Sequence, residues 1–296
     1  MAVSLEHPYP DPDDAGHWLR GNLHTHTTRS DGKRDPQTVI DDYAARGYHF
    51  LMISDHDVLT APADYAAWDS RGMLLIPGNE ISARGPHLLH VGASRRIDPF
   101  PQRQEALNAA RNDPGSFLIA AHPNWQEAFD HTTIAQLREW TGYAGLEIYN
   151  GVISRLPGSP YATNKWDMLL AQGRRVWGYA NDDSHRDVDV EQGWNVVWVA
   201  QRTAEAVVES LRTGRFYAST GVTIDRIEVR GSRIRVAASN AHRIAAMGAF
   251  GKRVAQVDAP ELEVDAESFP DHRYIRFELW GVGERQAWTQ PFFITT

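Results

Sequence analysis

Apolar and polar positions along this chain switch repeatedly between a period of two and a helical period, which marks out short strands and amphipathic helices. The run from Trp18 to Leu23 reads as a β-strand. Asp35-Pro36 then supplies an N-cap and a proline at the first helical position; Val39, Ile40, Tyr43 and Ala44 form one apolar stripe, and Gly47 ends it. Tyr48 to Ile53 is a continuous apolar run, as expected of a strand buried on both faces. Further helices are predicted over Pro62–Arg71, Gln102–Asn112, the segment carrying Ile134, Leu137 and Trp140, Trp166–Gln172 and Thr203–Arg212, the last stopped by Gly214. Strands are predicted between them at Met73–Pro77, His87–Gly92, Phe117–Ala121, Leu146–Tyr149, Arg175–Ala180 and Val196–Val199. Strand–helix alternation of this length predicts a parallel sheet closed into a barrel.

From Phe216 the pattern changes to short alternating runs, Ile224–Val229, Ile234–Val236, Leu262–Val264, Tyr274–Leu279 and Phe292–Ile294, separated by Gly, Asn and Asp turns. This reads as a small antiparallel β-domain. The expected organisation is an N-terminal extension over 1–18, an α/β barrel over 19–214 and a β-sandwich-like module over 215–296.

The predicted strands end in polar residues of a restricted kind. Asn22-Leu23-His24-Thr25-His26 sets two imidazoles on one strand face, with Asp31 in the following turn. Later strands end in Asp55-His56, Asn79-Glu80, His122, Glu147 and Asp183-Ser184-His185, and His87 opens another. Any one of these could be a helix cap. Together they place imidazoles and carboxylates at the carboxyl ends of parallel strands, where barrel enzymes build their sites, and His, Asp and Glu are ligands for Zn, Mn or Fe.

Composition narrows the chemistry. There is no cysteine, so disulfides and thiolate ligands are excluded. A net charge of −8 argues against a broad nucleic-acid surface. No apolar run reaches the length of a membrane span, and the acidic, proline-rich start lacks the layout of a secretory signal, so the cytoplasm is the expected location. Of the 13 histidines, nine lie between His24 and His185, which concentrates the expected site in the first two-thirds of the chain.

The motifs His-Thr-His-x4-Asp-Gly at 24–32, Ser-Asp-His at 54–56, Pro-Gly-Asn-Glu at 77–80, Ala-His-Pro at 121–123 and Asp-Ser-His at 183–185 together resemble the polymerase-and-histidinol-phosphatase (PHP) family of metal-dependent phosphoesterases in the amidohydrolase superfamily. The resemblance covers roughly residues 20–200 and implies a distorted (β/α)7 barrel holding two or three divalent metal ions (Mn, Fe or Zn). By that resemblance one ion takes His24, His26 and Asp183, with Glu80 bridging to a second. The second takes Glu80, His122 and a histidine from the strand at 87–92, and a third takes Asp31, His56 and His185. His87 and His90 lie three apart and face opposite sides of that strand, so only one reaches the mouth. His87 is favoured, because the Pro-His-Leu-Leu order resembles a subgroup related to carbaryl hydrolase.

The expected catalytic set is Glu80, Asp183, His185 and Arg186, the last as the leading cation for phosphate oxygens ahead of Arg29, Arg84, Arg155 and Lys165. Asp57, Asn79 and Asp182 are candidates for orienting imidazoles or, equally, ordinary turn and cap residues. Glu147, on the same strand face as Tyr149, is expected either to touch substrate or to be structural. The expected activity is hydrolysis of a small-molecule phosphate mono- or diester by a metal-activated hydroxide. The alternatives are a carbamate or carboxylic ester hydrolase using the same centre, and a non-catalytic protein braced by its metals. The C-terminal residues 213–221, 274–278 and 287–291 resemble an extension found in some PHP-like proteins, read either as a rim for the mouth or as a surface for self-association.

Overall fold

The computed structural model describes residues 3–295, and its strands form three sheets. Strand β1 (Ser4–Glu6) is followed by β2 (His17–Asn22), helix α1 (Pro36–Ala45), β3 (Phe50–Leu51), α2 (Pro62–Tyr65) and β4 (Leu74–Leu75). Asp35 caps α1, its side chain accepting from the Thr38 N–H with Pro36 in the first turn. Helix α2 is far shorter than predicted. Asp69 and Ser70 side chains accept the backbone N–H groups of Arg71 and Gly72, holding a turn where the apolar pattern implied more helix.

Next come β5 (Gly78–Ile81), β6 (Leu88–Val91), α3 (Arg103–Ala110), β7 (Phe117–Ala120), α4 (Ile134–Glu139), β8 (Gly145–Asn150), a 3₁₀ turn at Gly151–Arg155, α5 (Thr163–Ala171) and β9 (Trp177–Asn181). These strands make a sheet of order β5-β6-β7-β8-β9. An all-parallel sheet was expected, but β6 runs antiparallel to both β5 and β7. The link from Ile81 to Leu88 is too short for a crossover, so the chain must turn back on itself.

The chain continues through β10 (Trp194–Val199), α6 (Ala204–Thr213), β11 (Phe216–Ser219), β12 (Arg226–Arg230), β13 (Arg233–Ala237), β14 (Ala241–Gly248), β15 (Lys252–Val257), β16 (Glu261–Asp265), β17 (Tyr274–Gly281), β18 (Gln286–Thr289) and β19 (Phe292–Thr295). One mixed sheet follows the path β1-β19-β17-β18-β11-β10-β2-β3-β4, so the C-terminal strands extend the sheet that begins with β2. β12, β13 and β16 form a separate sheet, and an apolar core including Ile234, Val236, Ile244, Phe277 and Phe292 collects the C-terminal strands. The N-terminal segment joins them, because β1 pairs with β19.

Among the described residues the strand ladders do not close on themselves, and the chain is a mixed α/β fold. Single bridges nevertheless link the two sheets at one end: Thr25 to Ser184 beyond β2 and β9, and His56 to Glu80 beyond β3 and on β5. No helix among the described residues is long and apolar enough to cross a membrane.

Candidate metal centre

The segment that carries the first two histidines leaves its sheet at Asn22 under side-chain control. Asn22 Oδ1 accepts from the His24 N–H at 2.9 Å, and Asn181 Oδ1 accepts from the Leu23 N–H at 3.0 Å. Beyond them, His24 C=O accepts from the Asp183 N–H (3.0 Å), and the His26 N–H donates to Ser184 C=O (2.9 Å). The segments 24–26 and 183–185 are thereby held side by side. Asp55 fixes the next turn, accepting from the Thr27 N–H (2.7 Å), the Thr27 hydroxyl (2.7 Å) and the Ser30 hydroxyl (2.7 Å). Gly32 lets that turn close, since a Cβ there would lie 2.4 Å from His26 O.

The structure brings all nine expected ligand residues together. Glu80, fully buried, has carboxylate oxygens 3.2 Å from His24 Nε2, 3.6 Å from His26 Nε2, 2.8 Å from His56 Nδ1, 3.0 Å from His87 Nδ1 and 3.1 Å from His122 Nε2. Asp183 lies 3.2 Å from His24, 3.1 Å from His26 and 3.6 Å from His185. Asp31 lies 3.3 Å from His185, 3.6 Å from His56 and 3.8 Å from His26. His122 (φ 28°) and Asp183 (φ 56°) sit in the left-handed backbone region, the kind of strain that persists where the surroundings over-determine a site.

His87 reaches the group from the amino end of β6, because that strand is reversed. His90 lies inside the same strand with Nε2 2.9 Å from Ser116 Oγ and 3.4 Å from Asp113, away from the cluster.

The electrostatics are those of a charge cluster. Burial works against ionising Glu80, yet His24 and His87 beside it and the contact with His122 hold its carboxyl well below the usual range. Asp183 is likewise buried but held low by His24 and His26. Burial alone would lower His24; Asp183, Glu147 and Glu80 instead raise it well above an ordinary imidazole. Many of the atoms have charge neighbours but no hydrogen-bond geometry: His24 Nε2, both His26 nitrogens, His56 Nδ1, Glu80 Oε2 and Asp183 Oδ1 are buried without a hydrogen-bond partner among the described residues. Buried polar atoms are normally satisfied, and imidazole and carboxylate atoms converging in this way fit divalent cations. Three or more donor atoms lie within 4.8 Å of one another in several groups, among them His26, Asp31, His56 and His185, and His24, His26 and Glu80.

Of the residues expected to orient imidazoles, Asp57, Asn79 and Asp182 make no hydrogen bond to one. Asp57 accepts from the Ser82 and Ala83 N–H groups, Asp182 accepts from the N–H groups of Glu191, Gln192 and Gly193 and from the Tyr43 hydroxyl, and the buried Asn79 amide has no partner among the described residues. Glu147 does that work. Its Oε1 is 2.8 Å from His24 Nδ1 and accepts from Asn181 Nδ2 at 2.9 Å; its Oε2 accepts from the His122 N–H and from Asn150 Nδ2, both at 2.7 Å. A carboxylate on Nδ1 leaves Nε2 of His24 free to face the cluster.

None of the expected phosphate cations lines the cavity at the histidines. Arg186 and Arg84 are exposed and line no part of the cavity over the histidines, Arg155 is held bidentately by Asp189, and Arg29 donates to Thr60 Oγ1 and Leu59 C=O. Lys165 is buried, its Nζ donating to the carbonyls of Pro123, Phe129 and Thr132, and burial lowers its pKa to about 8. It braces the loop after β7.

That loop carries a residue that sequence reasoning missed. His131 packs its ring 4.6 Å from His87 and 4.7 Å from His122, and its Nε2 accepts the His87 N–H at 3.0 Å. Although His87, His122 and His131 are close enough to share an ion, that hydrogen bond occupies the His131 Nε2 lone pair, and the geometry favours a positioning role. The only signal in the sequence was its place on the loop that follows His122.

The cavity at the cluster measures ≈ 180 Å³ and is lined by the ionisable Asp31, His56, His87, His122, Asp183 and His185 and by the apolar Trp125, Val152, Ile153 and Leu156. No residue of the C-terminal strands lines it. A larger groove of ≈ 690 Å³ runs between residues 9–18 and β12, away from every one of these groups.

Three comparisons bear on this arrangement. No protein-family model matches the chain. A two-domain protein from Bacteroides vulgatus, described as containing a predicted PHP-like metal-dependent phosphoesterase, superposes over 98% of this chain and 90% of its own with a TM-score of 0.55 at 16% identity, which shows a shared fold. PsfC from Pseudomonas syringae superposes over 66% of this chain and 87% of its own, with a TM-score of 0.45 at 15% identity. In sequence, 80 residues, 26% of this chain, are 39% identical to the 3',5'-nucleoside bisphosphate phosphatase of Chromobacterium violaceum, and this chain covers 28% of that protein's length.

Proposed function

We propose that this chain, which has the fold of a PHP-like protein, is a metal-dependent phosphoesterase acting on a small-molecule phosphate mono- or diester. The observation that carries the reading is the convergence of six imidazoles, His24, His26, His56, His87, His122 and His185, on the buried carboxylates of Glu80 and Asp183 and the exposed carboxylate of Asp31, with so many of the buried atoms lacking hydrogen-bond partners among the described residues. His24, His26 and Asp183 would hold one ion, Glu80, His87 and His122 a second, and Asp31, His56 and His185 a third, with Glu80 positioned to bridge. Divalent ions held there supply positive charge that lowers the pKa of water and neutralises phosphoryl oxygens. The protein supplies the rest. Glu147 fixes the tautomer and direction of His24, and the Asp55-centred turn presents His26 and Asp31. We further read the strands as a distorted (β/α)7 barrel, a reading supported by the single bridges that join β2 to the end of β9 and β3 to β5. The divisions 1–18, 19–214 and 215–296, a cytoplasmic location, and Mn, Fe or Zn as the ions belong to the same proposal.

A second reading, hydrolysis of an aryl carbamate or carboxylic ester, is favoured by one observation: among the described residues no arginine or lysine lines the cavity. Parallel turnover of p-nitrophenyl phosphate, bis-p-nitrophenyl phosphate and an aryl carbamate by the metal-loaded protein separates the two. Turnover of the phosphate esters that disappears in His24→Ala and Glu80→Ala supports the first reading. Turnover of the carbamate alone supports the second.

A further inference from the structure

The cavity has two chemically different halves. Its floor is the histidine and carboxylate cluster; its upper wall is Trp125, Val152, Ile153 and Leu156. Val152 and Ile153 are buried in the 3₁₀ turn after β8, and the Val152 N–H is tied to Asp182 C=O at 2.9 Å, immediately before Asp183. Trp125 lines the same cavity, its ring edge-on to His122 with centroids 5.1 Å apart and 4.8 Å from His131.

These two walls are joined to each other. The Gln126 N–H donates to Pro157 C=O (2.9 Å), the Ser159 N–H donates to Asn124 C=O (3.0 Å), and Trp125 bridges to Gly158. Gly158, at φ 126°, is required for that approach, since a Cβ would meet Asn124 O at 2.5 Å. Lys165 holds the same loop from behind through three carbonyls. The apolar wall is therefore preformed by backbone hydrogen bonds and a buried cation. It needs no ligand to assemble it, which lowers the ordering cost of binding there.

We propose that this wall is the subsite for the ester's organic group, and that the group is compact and apolar, about one aromatic ring in size. This rests on reading the floor as a phosphoester-hydrolysing centre and specifies the substrate of that centre. The cavity is ≈ 180 Å³ and opens to solvent, so it encloses little beyond the phosphoryl group and one ring; an apolar cavity of about 150 Å³ holds benzene, and sites that enclose drug-sized ligands span about 300–1,000 Å³. Chemistry sets the polarity: with no arginine or lysine among the described residues lining the cavity, a second phosphate on the side of Trp125, Val152, Ile153 and Leu156 has no cationic side chain to meet it, and a charged group against Ile153 and Leu156 would be desolvated without compensation.

The test is calorimetric binding of phenylphosphonate and methylphosphonate to the Mn-loaded protein, with turnover of phenyl phosphate, glycerol phosphate and adenosine 3',5'-bisphosphate measured on the same preparation. The expected result is at least about tenfold tighter binding of the phenyl compound, the effect of burying part of one ring. That ratio should fall toward unity in both Trp125→Ala and the more peripheral Leu156→Asn, each checked by thermal melting. Equal affinity for the two phosphonates, or affinity for neither, overturns the proposal, as does preferred turnover of the bisphosphate. Turnover of any phosphate ester in that case leaves the hydrolase reading standing, and its complete absence removes both.

Discussion

Glu147→Gln is the substitution that bears most directly on how the centre is assembled. Each carboxylate oxygen of Glu147 faces two donors: Oε1 faces His24 Nδ1 and Asn181 Nδ2, Oε2 faces the His122 N–H and Asn150 Nδ2. A glutamine keeps the shape but has one accepting oxygen. Whichever way its amide turns, the NH2 group confronts two donors, and either His24 or His122 loses its anchor. Outer partners of metal-bound histidines characteristically contribute about 10–100-fold in metal affinity, or about 1.4–2.8 kcal/mol. Titration of the stripped protein with Mn(II) in competition with a chelating dye reads this directly, and circular dichroism verifies that the variant is folded. A folded Glu147→Gln protein with wild-type metal affinity would refute the claim that this carboxylate sets the imidazoles.

Other substitutions test separate parts of the account. His87→Ala should weaken metal binding, while His90→Ala, whose ring meets Ser116 and Asp113, should leave metal stoichiometry unchanged and lower only the melting temperature. His131→Phe should weaken metal binding severalfold without changing the number of ions bound, measured by elemental analysis; loss of an ion would make His131 a ligand in its own right. Lys165→Met strands two buried carbonyls and a half-buried one and should cost about 3 kcal/mol in urea unfolding, at the upper end for a buried unsatisfied group. Arg276→Met leaves the buried Asp167, now held at 2.6 and 2.8 Å, without its cation and with only the Tyr274 hydroxyl on its carboxylate, and should cost about 3–5 kcal/mol, read as a lowered denaturation midpoint.

The sequence was most informative where the backbone itself imposes the pattern. The spacing of His24 and His26 follows from strand geometry, and Asp35-Pro36 could be read as a helix start because capping is local. Reversal of β6 was not legible in the same way: Pro86-His87-Leu88-Leu89-His90 has the pattern of any buried strand, and only the short link from Ile81 forbids a parallel partner. The partners of the arginines were illegible for a related reason. A long side chain takes its partner from tertiary context, as Arg155 does with Asp189 across the loops, and proximity in sequence to His185 did not carry Arg186 into the cavity. Glu147 and His131 owe their significance to distances between segments that the chain brings together only on folding. The same holds for the C-terminal strands, whose alternation was readable but whose continuation of the β2 sheet through β11 and β10 depends on pairings between distant positions.

The central claim is that the histidine and carboxylate cluster holds adjacent divalent ions that make the chain a phosphoesterase. Its most direct test is to strip the protein with chelator and titrate Mn(II) back, following bound metal and bis-p-nitrophenyl phosphate turnover together. The account predicts at least two ions per chain, with turnover appearing as they bind and absent from Glu80→Ala. Undiminished turnover by the stripped protein, or a protein that takes up no metal, would contradict it.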